Sequence, residues 1–157
     1  MMKIYVFRIG LLLLTAVTSV LGQDTSKTIL FVCEHGSAKS IIATAHFNRL
    51  AKAEGINVRA ISRGINPDST IPKAINDHLI ADGLKRHIGD PIQLTDSDLN
   101  NSEYVIVFNP LPQKYNQSGN ITHWNIPSFE AGYPVAKDSI LTNIKRIIDK
   151  IKSDTKN

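Results

Sequence analysis

Residues 28–40 read Thr-Ile-Leu-Phe-Val-Cys-Glu-His-Gly-Ser-Ala-Lys-Ser, and the fold turns on them. Thr28 to Val32 is a short, uninterrupted apolar run of the kind buried on both faces of a parallel sheet. A loop of small residues follows. Ser40 to Glu54 then shows helical spacing, with Ile41, Ala45 and Leu50 near one face, and Gly55 ends the segment as a C-terminal glycine does. In an open parallel sheet, ligands sit at the carboxyl ends of the strands. The loop from Cys33 to Ser40 is therefore where a site is expected.

The same alternation continues along the chain. Val58 to Ser62 reads as a second strand, followed by the turn-rich Arg63-Gly-Ile-Asn-Pro67. Ile71 to Leu84 predicts a second helix, with Pro72 in its first turn and Gly83 near its end. Pro91 to Thr95 reads as a short extended piece, and Asp96 as the cap of a brief helical turn. Tyr104 to Phe108, β-branched and aromatic throughout, is the clearest strand. Residues 109–135 are rich in Pro, Asn and Gly and read mainly as loop. Val135 to Ile151 is amphipathic, with Ile140, Ile144, Ile147, Ile148 and Ile151 on one stripe. The reading is a single α/β domain with a mostly parallel sheet.

Composition agrees with one folded domain. The chain has 157 residues, 42% hydrophobic and 20% charged, which describes ordinary globular protein rather than a disordered chain. Its single cysteine excludes an intramolecular disulfide and a Cys-based zinc site. His46, His78 and His87 lack metal-ligand spacing, so neither a metal nor a cofactor is expected. Met1 to Arg8 carries two positive charges and no acid, and Ile9 to Leu21 is almost wholly apolar. With small residues before Gly22, residues 1–22 read as a signal peptide, too short in its apolar run for a bilayer span of roughly twenty residues. The mature domain, 23–157, is then expected to be exported, periplasmic or secreted, with no membrane attachment after cleavage. Removing Lys3 and Arg8 leaves sixteen basic against fourteen acidic side chains. So small an excess is no argument for nucleic acid as a partner.

The loop carries the chemistry. A tight loop opening onto a helix N-terminus turns several backbone N–H groups towards one point, which with the helix dipole favours an oxyanion. Cys33 held there has its thiolate favoured and its nucleophilicity at neutral pH raised. Lys39 adds a positive charge, and the Ser40 hydroxyl is placed to donate a hydrogen bond to the sulfur. The Lys-Ser ending suggests an ATP-type phosphate loop, but that pattern needs Gly where Cys33 and Ala38 stand.

Cys33 to Ser40 resembles the C-x5-R-S phosphate loop of the low-molecular-weight protein tyrosine phosphatases and their relatives, the thioredoxin-coupled arsenate reductases. The strand ILFVC, the helix SIIATAHFNRLAKAEG, the segment VRAISRGINPD, the strand YVIVFN, the His123-Trp124 pair and the closing helix also follow the family's order. The resemblance spans roughly residues 28 to 151. It implies a single three-layer α/β domain with a four-stranded parallel sheet flanked by helices. It also implies phosphate-monoester hydrolysis through a phosphocysteine on Cys33. Loop amides at Glu34, His35, Gly36, Ser37 and Ala38 would bind the phosphate, with Lys39 as the oxyanion's charge and Ser40 on the thiolate. The implied substrate is a phosphorylated protein or a small phosphate monoester.

Three positions depart from the family pattern. Lys39 replaces the arginine, so a point charge stands where a planar fork would grip two oxygens. His35 and Gly36 replace the usual glycine and asparagine. No Asp occurs between Asp98 and Asp138, although the family's acid, an Asp-Pro, belongs before the last helix; Asn125 to Ser128 holds Pro127 without it. Glu130 and His123 are the nearest proton donors in sequence, Glu130 being the candidate acid. Two alternatives stay open beside hydrolysis. One is an arsenate reductase recycled by an external thiol, since the chain lacks the two further cysteines of the thioredoxin-coupled type. The other is a catalytically weak module that binds oxyanions or phosphopeptides.

Overall fold

A computed structural model describes residues 27–115 and 119–155. The export segment expected at residues 1–22 lies outside them. Among the described residues no helix is long and apolar enough to cross a membrane.

The first strand, β1 (Lys27–Cys33), is buried from Ile29 onward. Its side chains alternate: Ile29, Phe31 and Cys33 join one apolar cluster, Leu30 and Val32 another on the opposite face. Each fully buried aliphatic or aromatic side chain contributes about 1.5–3 kcal/mol, which fixes the strand end from which the Cys33 loop departs. β1 pairs in parallel with β2 (Val58–Gly64) on one side and β3 (Tyr104–Val107) on the other. β4 (Ile121–His123) pairs in parallel with β3, giving the order β2-β1-β3-β4. Successive crossovers thus leave β1 in opposite directions, which opens a crevice at its carboxyl end.

Three layers result. α1 (Lys39–Ala53), α2 (Lys73–Ala81) and α4 (Tyr133–Asp154) cover one face, where Phe47, Leu79, Ile140, Ile144 and Ile148 are buried. α3 (Asp96–Asn100) and the segments carrying Leu94 and Tyr115 cover the other. The expected isoleucine stripe of the last helix is buried as a unit. Trp124 is buried against Phe31 and Phe108, with ring centroids 5.5 and 6.1 Å away.

Several boundaries differ from the sequence reading: β2 runs on to Gly64, and α4 spans Tyr133–Asp154. Pro72 precedes α2 rather than entering it, and the helix stops at Ala81, with Asp82 as its C-cap and Gly83 at φ 71° beyond. The extended piece at Pro91 to Thr95 is reduced to one parallel bridge between Gly64 and Gln93. Thr95, not Asp96, caps α3: its hydroxyl accepts from the Asp98 N–H while the Asp98 carboxylate accepts from the Thr95 N–H. Residues 109–135 contain β4 and a one-turn 3-10 helix, Phe129–Ala131. Three residues with only Ile121 half-buried show too little alternation to read as a strand.

His46 sits in a polar knot among the helices. Asp82 accepts from Lys137 Nζ at 2.7 Å and from the Tyr133 hydroxyl, and lies 3.1 Å from His46 Nε2. Arg49 Nη2 is 3.1 Å from His46 Nδ1. A guanidinium only donates, so Nδ1 accepts and the Nε2 hydrogen goes to Asp82. Burial first, and the Arg49 charge next, push His46 below its ordinary value of 6.5. In Asp82, burial acts upward but is outweighed by the hydrogen bonds from Lys137 and Tyr133, which hold the carboxyl below its ordinary value.

Candidate active site

β1 delivers Cys33 to the carboxyl edge of the sheet, and its sulfur lies 3.1 Å from the buried Ser40 hydroxyl. The residues between them wrap around a cavity of about 320 Å³ lined by Cys33, Glu34, His35, Ser37, Ala38, Lys39, Asn109 and Phe129. A larger groove of about 700 Å³ runs along α1, β2 and residues 85–92. It does not reach the Cys33 loop, so size alone does not locate the chemistry.

The loop is shaped from behind by the connection between β2 and α2. The carbonyls of Cys33, Glu34 and His35 accept from the N–H groups of Ile65, Asn66 and Asp68 at 3.0, 2.8 and 3.0 Å. Across a trans peptide the following N–H points the opposite way. Three carbonyls turned outward therefore turn the amides of Glu34, His35 and Gly36 inward. Asn109, just beyond β3, takes the first of these: Glu34 N–H donates to its side-chain oxygen at 3.1 Å. Ala38, at the N-cap of α1, supplies no side-chain acceptor to the helix's first turn. Among the described residues no side chain caps those N–H groups.

Gly36 makes the tight turn possible. Its φ is +61°, and a Cβ there would come within 2.8 Å of the Gly64 nitrogen. Loop and β2 end therefore touch backbone to backbone.

The match of the chain to known families follows this layout: residues 28–118 fit the model of the low molecular weight phosphotyrosine protein phosphatases. The chain belongs to this family. Its fold is also that of YfkJ from Bacillus subtilis, at a TM-score of 0.73 and 20% identity over 85% of this chain and 99% of that one. The low molecular weight protein tyrosine phosphatase from T. tengcongensis aligns at 0.62 and 20% identity, covering 80% of this chain and 99% of that one. The thioredoxin-dependent arsenate reductase of Corynebacterium glutamicum aligns at 0.65 and 23% identity, over 82% of this chain and 63% of that one. At such identities these likenesses speak for the fold. Comparison with curated proteins finds no match.

Within this family fold, the departures noted in the sequence acquire positions. Lys39 lines the cavity, but its ammonium donates to the Ile126 carbonyl at 2.9 Å. It thereby ties the first turn of α1 to the stretch after β4. Glu130 is exposed on the 3-10 turn and is not among the cavity's lining residues; Phe129 beside it is. His123 is exposed on β4 and does not line the cavity. The structure thus brings Cys33 to Ser40 together and leaves both sequence-chosen acids outside. Among the described residues no group of three His, Cys, Asp or Glu side chains could hold a metal ion.

Two contributors escaped the sequence reading. Asn109 is the residue after the clearest strand, and its place at the end of the strand beside β1 was a usable signal. Asp68 closes the segment VRAISRGINPD: its carboxylate accepts from the Ser37 hydroxyl and lies 3.3 Å from His35 Nδ1. Nothing in sequence spacing joins residues 35 and 68. Only the parallel pairing of β1 with β2 does.

Proposed function

We propose that the protein hydrolyses phosphate monoesters as a tyrosine-phosphatase-type enzyme, acting on a phosphorylated protein or a small phosphate monoester. The observation that carries this is the Cys33 sulfur, 3.1 Å from the Ser40 hydroxyl and lining one cavity with the loop that follows it. The Cys33 thiolate attacks phosphorus, and the leaving oxygen departs towards the cavity mouth. Amides of the loop from His35 to Ser40 hold the equatorial oxygens, with Lys39 adding charge. Water then hydrolyses the phosphocysteine. Positioned donors of this kind supply most of the acceleration in phosphoryl transfer.

Turnover of p-nitrophenyl phosphate by the wild type beside Cys33→Ser tests the reading, with rapid-quench mass spectrometry for the phosphocysteine. Cys33-dependent release of phosphate is expected, and its absence refutes the proposal. Arsenate reduction would need an outside thiol, because Cys33 is the chain's sole cysteine. A glutathione-coupled arsenate assay separates that chemistry from hydrolysis. We also propose export, with cleavage after Gly22. An intact mass starting at Gln23 supports it, and a mature protein retaining Met1 overturns it.

A further inference from the structure

Phosphoryl transfer to Cys33 needs a proton for the leaving oxygen, and the stretch before α4 holds no aspartate. Four side chains lining the cavity can carry charge: Cys33, Glu34, His35 and Lys39. Cys33 is the nucleophile. The Glu34 carboxylate accepts from Asn66 Nδ2 at 2.6 Å, which turns it towards the β2–α2 connection. The Lys39 ammonium is held by the Ile126 carbonyl. His35 remains. Its side chain lines the cavity yet is 62% exposed, and only Nδ1 has a partner among the described residues, Asp68 at 3.3 Å.

Asp68 is itself fixed. Its N–H donates to the His35 carbonyl at 3.0 Å, and its second carboxylate oxygen accepts from Ser37. A carboxylate 3.3 Å from one imidazole nitrogen favours a proton there and leaves the other nitrogen for proton transfer. We infer that His35, oriented by Asp68, is the general acid and base of this site, replacing the missing aspartate from within the phosphate loop. The inference rests on the phosphatase reading above.

The step balances. The Cys33 thiolate forms the S–P bond as the ester P–O bond breaks, and the Nε2 proton of the His35 imidazolium goes to the departing oxygen. In the second half, neutral His35 takes a proton from the attacking water as the S–P bond breaks. Thiolate, inorganic phosphate and imidazolium are restored. Asp68 of the β2–α2 connection is the charged group beside the ring, and Cys33, Glu34 and Lys39 line the same cavity. Asp68 acts through His35 and is a positioning residue.

The leaving group makes the test. Phenyl phosphate expels a basic phenolate and needs the proton, whereas p-nitrophenyl phosphate expels a stable one and needs it little. His35→Gln is expected to lower turnover of phenyl phosphate about 10²-fold and of p-nitrophenyl phosphate less than about 10-fold, the range of a lost general acid. Added imidazole should restore phenyl phosphate turnover to His35→Ala. Asp68→Asn should show the same ester selectivity and have no further effect in a His35→Ala background. Equal losses on the two esters, no loss, or a selective loss in Glu34→Gln instead would overturn the assignment while leaving Cys33 catalysis standing. Absence of Cys33-dependent turnover on both esters would remove the phosphatase reading and this one together.

Discussion

Gly36→Ala asks whether the phosphate loop depends on its backbone contact with β2. Gly36 has φ +61°, a conformation that costs an L side chain roughly 1–2 kcal/mol. The added Cβ would stand 2.8 Å from the Gly64 nitrogen and 2.9 Å from its Cα. Gly64 has nowhere to go: its N–H donates to the Ile92 carbonyl at 2.8 Å, and its own carbonyl accepts from Leu94 N–H at 2.8 Å. The loop must therefore give way. Overpacking of this sort costs about 1–3 kcal/mol, so the total loss is about 2–5 kcal/mol. A displaced loop also misaims its amides, and one lost oxyanion donor is worth about 10²–10³ in kcat. Gly55→Ala is the control, because φ there is +66° with nothing within 4 Å. It carries the conformational cost alone and should leave kcat unchanged. Urea unfolding and p-nitrophenyl phosphate turnover, measured on both variants, separate the two contributions. If Gly36→Ala is no less stable than Gly55→Ala and turns over normally, the contact does not hold the loop.

Lys39→Arg should raise kcat, because a planar fork meets two oxyanion oxygens where the ammonium meets one; about 2 to 4 kcal/mol is at stake, a factor of about thirty to a thousand. Steady-state kinetics decide it, and an unchanged or lower kcat would mean the loop is tuned around the lysine–Ile126 bond. Stability should fall in acid in two stages. His46 and His87 are both held below 6.5, His46 by burial and Arg49 and His87 by burial, so each prefers to fold neutral. Their contribution is complete above pH 6.5 and is lost as pH falls below it. Asp82 is held below 3.8 and contributes above that value, losing its part as pH falls through its lower folded pKa. Melting temperature against pH checks both windows; a melting temperature constant from pH 7 to 5 contradicts the first. Asp82→Asn strips the charge partner from Lys137 and should cost about 3 kcal/mol at pH 7, read by urea unfolding. A loss below about 1 kcal/mol would show that the knot contributes little.

The fold was legible where one signal dominated. Ile29 to Val32 and Tyr104 to Val107 are buried on both faces, so unbroken apolar runs sufficed to find β1 and β3. The α4 stripe was equally plain. β4 was not, because an edge strand of three residues with two exposed side chains carries no period to read. α1 was found by its spacing but misjudged in its faces. Ile42 and Ala43 are buried as well as Ile41, whereas Ala45 and Leu50 are only partly so, since sheet and α4 enclose the helix on more than one side. The loop from Cys33 to Ser40 was readable because its residues are contiguous. Its partners Asn109 and Asp68 were not, because they come from chain segments far apart. Searching forward in sequence from β4 led to Glu130, while the carboxylate at the loop stands thirty-three positions after His35, behind the neighbouring strand.

The changed cation and the missing aspartate are best understood together. Asn125 to Ser128 is the stretch where the family's acid belongs, and Ile126, in its middle, is what the Lys39 ammonium holds. An arginine in that position would direct a fork at the oxyanion and leave the stretch free to present a carboxylate. A lysine bonded to a backbone carbonyl instead clamps the stretch against the loop. Ile126 is buried there, and no acid from that side reaches the cavity. On the inference above, the proton source is then His35 of the loop itself. His35 stands in a position where the family usually has glycine, and Asp68 beside it is the carboxylate that a glycine could not have used. On this argument the three departures form one rearrangement, so Lys39→Arg alone should gain less in a His35→Gln background than in the wild type. Equal gains in the two backgrounds would make them separate changes.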